Sequence, residues 1–356
     1  MPHPPEMIRS QVRPVARPVV IRFPALGDTV VLTTLIHALA LRYGTQVDVL
    51  ASGPWVPEVL AHNPHISELR LIRSRRAPYW LTPSQWTAVH WLKGRVRAGA
   101  PIYFCERDEF GARLLARATT DPACYVRAWD HPFDTRMHWV DWYLEIANLT
   151  PASLRPPPPP VQAPALTELF VTEAEQASVD AWVQREGWAE RPLVLMQPGH
   201  KKTFKRGRIG TAEHSKHWPA ERWASVAHGV LTRVPQGRVL LHGTAREWGL
   251  VQEIVTAAGD ARVINIVRGA SVARLLALAR RAVAMVTVDT GPAHVAAAVD
   301  CPMVVLYGGF GAARWKPRTP SAEVIALGPE QDDQGTLMDL SVERVLQAFN
   351  VLRLRA

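Results

Sequence analysis

Apolar positions along this chain alternate between short β-branched runs and stretches with helical spacing. Residues 19–23 form a run suited to a buried parallel strand, entered at Pro18 and broken at 24–27. From 29 to 42 the apolar residues Val30, Val31, Leu35, Ala38, Leu39 and Leu41 recur at helical spacing, and Gly44 supplies a stop. This predicts a helix with Asp28 in the cap position, followed by a strand at 47–51, so the chain opens as a βαβ unit. The alternation returns further on, with strands expected at 193–196, 239–241, 263–266, 285–288 and 303–306 and helices at 219–233, 246–257, 272–282 and 292–299. The links are short enough for parallel crossovers, which predicts two Rossmann-like α/β domains.

The sharpest compositional break lies at 151–164, where Arg155 precedes five successive prolines. Proline lacks an amide donor and favours an extended rod, so this stretch cannot join a central sheet or a helix and reads as a spacer. It divides the chain into an N-terminal domain over 17–150, a linker over 151–165 and a C-terminal domain over 166–356, whose last helix could pack back onto the N-terminal domain. Residues 1–16, with four prolines and no apolar core of signal-peptide length, read as a disordered leader.

Composition adds three constraints. With 47% hydrophobic and 21% charged residues among 356, the chain is ordinary globular material. Its formal charge of +9 favours an anionic partner, such as a nucleotide, a phosphorylated glycan, nucleic acid or an acidic membrane surface. The three cysteines, Cys105, Cys124 and Cys301, have no CxxC spacing and fit a reducing cytosol. Asp300 interrupts the most apolar stretch, so no membrane span is expected.

In open parallel sheets, ligands bind beyond the carboxyl ends of the strands, which directs attention to three loops. In the first, residues 22–28, Asp28 is either a helix cap or a carboxylate able to take a proton from a sugar hydroxyl, with Gly27 allowing close backbone approach. The second runs Asp289-Thr290-Gly291-Pro292-Ala293-His294; amides of Thr290, Gly291 and Ala293 at a helix start suit a phosphate, and His294 either reaches the ligand or packs. Neither GxGxxG nor Walker spacing occurs there. The third is the basic run at 198–219, with Lys201, Lys202, Lys205, Arg206 and Arg208, which is either a pyrophosphate-neutralising segment or a solvated loop. Lys216 stands apart, fixed just before Trp218-Pro219, and the spacing of His200, His214 and His217 argues against zinc there.

Together, Pro24-Ala25-Leu26-Gly27-Asp28, Lys216-His217-Trp218-Pro219 and Asp289-Thr290-Gly291-Pro292-Ala293-His294 resemble glycosyltransferase family 9, the ADP-heptose:lipopolysaccharide heptosyltransferases, over about residues 17 to 310; His62-Asn63-Pro64-His65-Ile66 resembles a further family segment. The resemblance implies a GT-B fold, with two Rossmann-like domains facing across a cleft, in a bacterial cytoplasmic enzyme of lipopolysaccharide biosynthesis. It implies a general-base role for Asp28 and phosphate binding by Lys216, Thr290, Gly291 and Ala293. It further implies donor sugar or nucleotide contacts by Asp289, His294, Glu247 and Gly27. The long basic insertion and the polyproline linker depart from the shorter family members.

The expected reaction is inverting transfer of a sugar, heptose by resemblance, from a nucleotide-diphospho-sugar such as ADP-heptose to a lipopolysaccharide-type or other glycan acceptor. The chain has no Asp-x-Asp triplet, the carboxylate clamp of the other major transferase fold, so no metal or other cofactor is expected. On the acceptor side, Arg73, Arg75 and Arg76 precede an aromatic and basic segment containing Tyr79, Trp80, Trp86, Trp91, Lys93, Arg95 and Arg97. That combination suits a glycolipid or the anionic inner face of the inner membrane. Two other readings stay open: a nucleotide-sugar epimerase of the same layout, and a basic nucleic-acid-binding protein, although no nucleic-acid-binding signature is present and no such partner is expected.

Overall fold

Two parallel sheets, each flanked by helices, make up the computed structural model, which describes residues 16–134, 136–200, 204–205, 208–209, 216–309, 311–328 and 335–356. The expected leader at 1–15 and the side chains Lys201, Lys202, Arg206 and His214 lie outside the described residues. The first sheet contains β1 (Val19–Ile21), β2 (Val47–Ala51), β3 (Ile66–Leu71), β4 (Ile102–Phe104) and β5 (Tyr125–Arg127) in the order β3-β2-β1-β4-β5. After β6 (Leu193–Gln197) comes a small antiparallel pair, β7 (Phe204–Lys205) and β8 (Arg208–Ile209), in the basic segment. Then follow β9 (Arg238–Leu241), β10 (Val263–Asn265), β11 (Ala284–Val288), β12 (Met303–Leu306) and β13 (Val324–Leu327), and the second sheet is ordered β10-β9-β6-β11-β12-β13.

The helices of the first half are α1 (Leu26–Tyr43), α2 (Val56–Leu60), α3 (Pro83–Arg97), α4 (Glu109–Ala118) and α5 (Trp139–Asn148). The second half carries α6 (Glu173–Arg185), α7 (Ala220–Arg233), α8 (Trp248–Ala258), α9 (Val272–Arg281), α10 (Gly291–Ala297), α11 (Ala312–Trp315) and α12 (Val342–Val351). The central strands β1, β2, β6, β11 and β12 are wholly buried, which is why mostly apolar runs mark them in the sequence, with Asp48 in β2, Gln197 in β6 and Thr287 in β11 as the buried polar members. The strands β3 and β13 are only partly buried and mix charged or small residues with apolar ones, so they leave a weak pattern.

Four expectations change. Helix α1 starts three residues earlier than predicted, with Ala25 as its N-cap, so Asp28 sits in the first turn and is not the cap. The segment expected as one helix from 246 begins as a separate tight turn, Ala245–Glu247, ahead of α8. The last helix packs on α7 and β12 of its own half, with Phe349 and Leu352 in that core, and not back on the N-terminal half. The proline-rich stretch forms no helix or strand, as expected, but it is held against α1 as well as spacing the two halves. Buried Arg42 donates to the carbonyls of Pro158, Pro159, Ala147 and Leu149 and to the Thr150 hydroxyl, so its charge is fully dressed by oxygen.

Strand order reverses between β1 and β4 in the first sheet and between β6 and β11 in the second, and such reversals open crevices at the carboxyl ends of the strands. Asp28 follows β1 and Asp289 follows β11, so each lies at one of these reversals. Helices α1 and α10 pack together, and the inner faces of both sheets merge through them into one apolar cluster.

Candidate active site

The closest approach between the two helix starts runs through glycine. A Cβ on Gly27 would stand 3.2 Å from His294 Cδ2 and 3.4 Å from the Gly291 Cα, and one on Gly291 would come within 2.7 Å of Leu26 Cγ. Gly291 has no room for a side chain and Gly27 is tight, and the fit brings the first turn of α1 against the first turn of α10.

On the first-half side, Arg22 leaves β1 and reaches three oxygens: the Cys105 carbonyl at 3.0 Å, Asp28 Oδ1 at 3.3 Å and Glu106 Oε1 at 3.4 Å. Burial disfavours the Arg22 charge, but Tyr143, Glu106 and Asp28 around it raise its pKa further above the ordinary value. Glu106 follows β4 and also accepts from the Phe23 amide; burial pushes its carboxyl up, against the pull of Arg22. Asp28 makes no cap bond, its side chain is a quarter exposed, and its carboxylate is oriented by one arginine.

On the second-half side, Lys216 Nζ donates to Asp289 Oδ2 at 2.6 Å and to the Asp289 carbonyl at 2.9 Å. Its place is set from below: Trp218, two residues on, is buried against Trp223 and donates its indole hydrogen to the Leu340 carbonyl. Thr290 is the N-cap of α10 and makes no side-chain cap bond. The amide of Ala293 donates to the Thr290 carbonyl and the residue is buried, which corrects the expectation that this amide is offered to a phosphate; Thr290 and Gly291 remain at the head of the turn. His294 is the packed side chain of the two alternatives, edge-on to Trp315; burial pushes its imidazole below the ordinary value, against the pull of Asp289 and Asp28. The same imidazole therefore senses carboxylates from both halves.

Glu247 is buried and closes a capping box with Thr244, its Oε2 accepting from the Thr244 amide at 2.6 Å while Oε1 packs over Gly199. Burial pushes its carboxyl up. The capping role is thus occupied in the structure, whatever further contact the residue makes.

Two histidines carry no motif yet sit beside these groups. His138 caps α5 through Nδ1 and meets the Lys316 carbonyl with Nε2 at 2.8 Å, linking the two halves; burial and Arg318 push it down to about 4. His242, directly after β9, is buried with Nδ1 2.7 Å from Gln197 Oε1, and burial pushes it down to about 4. A cavity of about 480 Å³ opens beside His138, walled by Leu166, Ala312, Lys316 and Arg318. Arg22 and Glu106 could have been found from sequence, since each is a charge set within two residues of the end of a buried strand; the histidines had no comparable signal.

Of the predicted acceptor arginines, Arg75 and Arg76 line a cavity of about 250 Å³ together with Tyr79, Phe110, Arg113 and Arg117, whereas Arg73 does not line it. The Arg75 guanidinium lies over the Phe23 ring at 5.8 Å, on the loop that leads to Asp28. Trp80 and Trp86 flank it with 69% and 44% of their surface exposed. Arg95, in contrast, is committed to Asp48 and Glu68 at 2.9 and 2.6 Å. No helix among the described residues is long and apolar enough to cross a membrane.

The profile of glycosyltransferase family 9 (heptosyltransferase) matches residues 124–339, which takes in Lys216, Glu247 and the Asp289 turn. The chain belongs to glycosyltransferase family 9. The family match starts later than the expected 17, so the Asp28 loop stands outside it. Lipopolysaccharide heptosyltransferase 2 of Salmonella typhimurium is 29% identical over 177 residues, which is 46% of this chain and 47% of that protein, so the match spans about half the length of the relative. Among solved structures, a glycosyltransferase family 9 protein from Veillonella parvula superposes with a TM-score of 0.73 at 18% identity, covering 94% of this chain and 96% of that one. The ADP-heptose lps heptosyltransferase II of E. coli gives 0.68 at 22% identity, with 94% and 97% covered. At these identities the family 9 structures establish the GT-B fold.

Proposed function

We propose that this family 9 chain is an inverting glycosyltransferase that moves heptose from ADP-heptose to a lipopolysaccharide-type acceptor without a metal in the transfer step. The reading is supported by the packing of Gly27 against Gly291, which brings the turn carrying Asp28 beside the turn after Asp289, and by His294, which feels the charge of both Asp28 and Asp289. A donor sugar held there has a carboxylate on one side and a cation on the other.

In this reading Asp28, steadied by Arg22, accepts the proton of the acceptor hydroxyl as its oxygen attacks the anomeric carbon from the face opposite the diphosphate. The bond to the diphosphate breaks as the new one forms, and charge builds on the leaving phosphate. Lys216 and the head of the α10 turn at Thr290 and Gly291 stand where that charge develops, and interactions that strengthen as charge appears lower the barrier. Asp289 orients Lys216 and is the polar group placed to contact the donor sugar.

The arginine-lined cavity beside Phe23 supports an anionic acceptor, and exposed Trp80 and Trp86 beside it support contact with the cytoplasmic face of an anionic membrane. The test is release of ADP from ADP-heptose with a lipopolysaccharide-core acceptor, with the product linkage read by NMR. Inverted product formed only when acceptor is present supports the proposal. Conversion of the donor without acceptor would assign epimerisation instead.

A further inference from the structure

Away from the Asp28 and Asp289 turns, three side chains from separate parts of the chain converge: His37 on the second half of α1, His65 just before β3, and Glu168 in the connection between α5 and α6. At a rise of about 1.5 Å per residue, His37 lies roughly 13 Å along α1 from Asp28, so this group is separate from the transfer site. His37 Nδ1 is 2.9 Å from Glu168 Oε1, His65 Nε2 is 3.5 Å from Glu168 Oε2, and the ligand atoms offered by the three all lie within 4.8 Å of one another.

We propose that His37, His65 and Glu168 bind a divalent transition-metal ion of the zinc class, which fastens the connection between the halves to α1. Imidazole and carboxylate are the ligand types zinc takes, and bonds of about 2.0 to 2.2 Å place tetrahedral neighbours about 3.4 Å apart. The observed separations, 2.9 Å to one Glu168 oxygen and 3.5 Å to the other, lie to either side of that length, and the single ligand atoms the three residues offer stay within 4.8 Å of one another, close enough for one ion to draw them together. Simple hydrogen bonding accounts for only part of the arrangement: Glu168 Oε2 is buried yet accepts no hydrogen bond, and 3.5 Å to His65 is too long for a good one. A cation at the ring edges of the two stacked imidazoles, facing Glu168, would satisfy that oxygen.

The ligands are held from behind. The Glu168 amide donates to Thr33 Oγ1 at 3.0 Å, and Thr34 Oγ1 donates to the Leu166 carbonyl at 2.7 Å, so α1 itself positions the carboxylate. The His65 amide donates to Asn63 Oδ1 at 2.9 Å, and the two imidazoles stack with centroids 4.3 Å apart. Side-chain exposures of 16, 25 and 27% leave a path to solvent and room for water as a fourth ligand. An ion bound there would cross-link α1, the lead-in to β3 and the connection, and a ligand that binds only the folded state stabilises it.

The full-length protein, stripped with a chelator and titrated with Co²⁺, tests this by visible d–d absorption and melting temperature. The proposal expects bands that saturate at one equivalent, are displaced by Zn²⁺, and accompany a higher melting temperature. His65→Ala and Glu168→Gln should each abolish the bands while melting like metal-free wild type, which separates lost binding from lost folding. Absence of bands in the wild type, or bands undiminished in both variants, would overturn it, the latter by placing the ion elsewhere.

Discussion

Lys216 Nζ sits 2.6 Å from Asp289 Oδ2, joining the segment in front of α7 to the turn that leads into α10. The pair places a cation beside the head of that turn, with Trp218 holding the segment from the core side. Lys216→Met should therefore lower kcat/KM for the donor by roughly 10²- to 10³-fold, the cost of losing one well-placed donor to developing charge. Steady-state kinetics check the rate, and calorimetry with ADP should show weakened binding. The variant should also melt lower, because Asp289 is left buried without its cation.

Gly291 is the tighter of the two facing glycines. An added methyl would stand 2.7 to 2.9 Å from Leu26 Cγ, Cδ2 and Cβ, so Gly291→Ala must push α1 away from α10. The expected cost is about 1 to 3 kcal/mol of stability, together with a fall in kcat beyond what the stability loss explains. Gly27→Ala, whose nearest contact is 3.2 Å, should be milder on both counts. Thermal melts and transfer rates measured on the pair of variants check the order.

His138 and His242 make the fold sensitive to mild acid. Both are pushed down to about 4 in the folded protein by burial, while an unfolded histidine titrates near 6.5. Between these values the unfolded chain binds more protons than the folded one, so stability falls as pH drops from about 6.5 towards 4. Each should contribute on the order of 1 to 2 kcal/mol of this loss by pH 5. Denaturation at pH 7 and pH 5 should show the drop, and His242→Gln should shrink it.

Which parts were legible follows from burial. Strands β1, β6 and β11 are covered on both faces, so runs dominated by Val, Ile, Leu and Met announced them, and Asp289 could be placed because it directly follows β11, Asp28 because it sits where the loop after β1 turns into a helix. The partly exposed β3 and β13 left no such trace. The Ala293 amide was misjudged because α10 opens with a tight turn in which it bonds the Thr290 carbonyl three residues back, which the sequence pattern does not separate from an ordinary helix start. His138 was missed for a different reason, since its partner Lys316 lies far away in sequence.

The arginine cavity makes a separate prediction about the acceptor. Arg76→Ala should raise the acceptor KM several-fold and leave donor binding unchanged, because Arg76 lines the cavity beside Tyr79, whose described walls include neither Lys216 nor Asp289. Equal effects on both substrates in a two-substrate kinetic matrix would remove the cavity from the acceptor site.

The most direct measurement is single-turnover transfer by Asp28→Asn, paired with calorimetric donor binding. The substitution keeps the size of the side chain and removes its ability to take a proton, so transfer should fall by about 10²- to 10⁴-fold while donor affinity stays at the wild-type level. Transfer at the wild-type rate with the donor still bound would contradict the assignment of Asp28 as base.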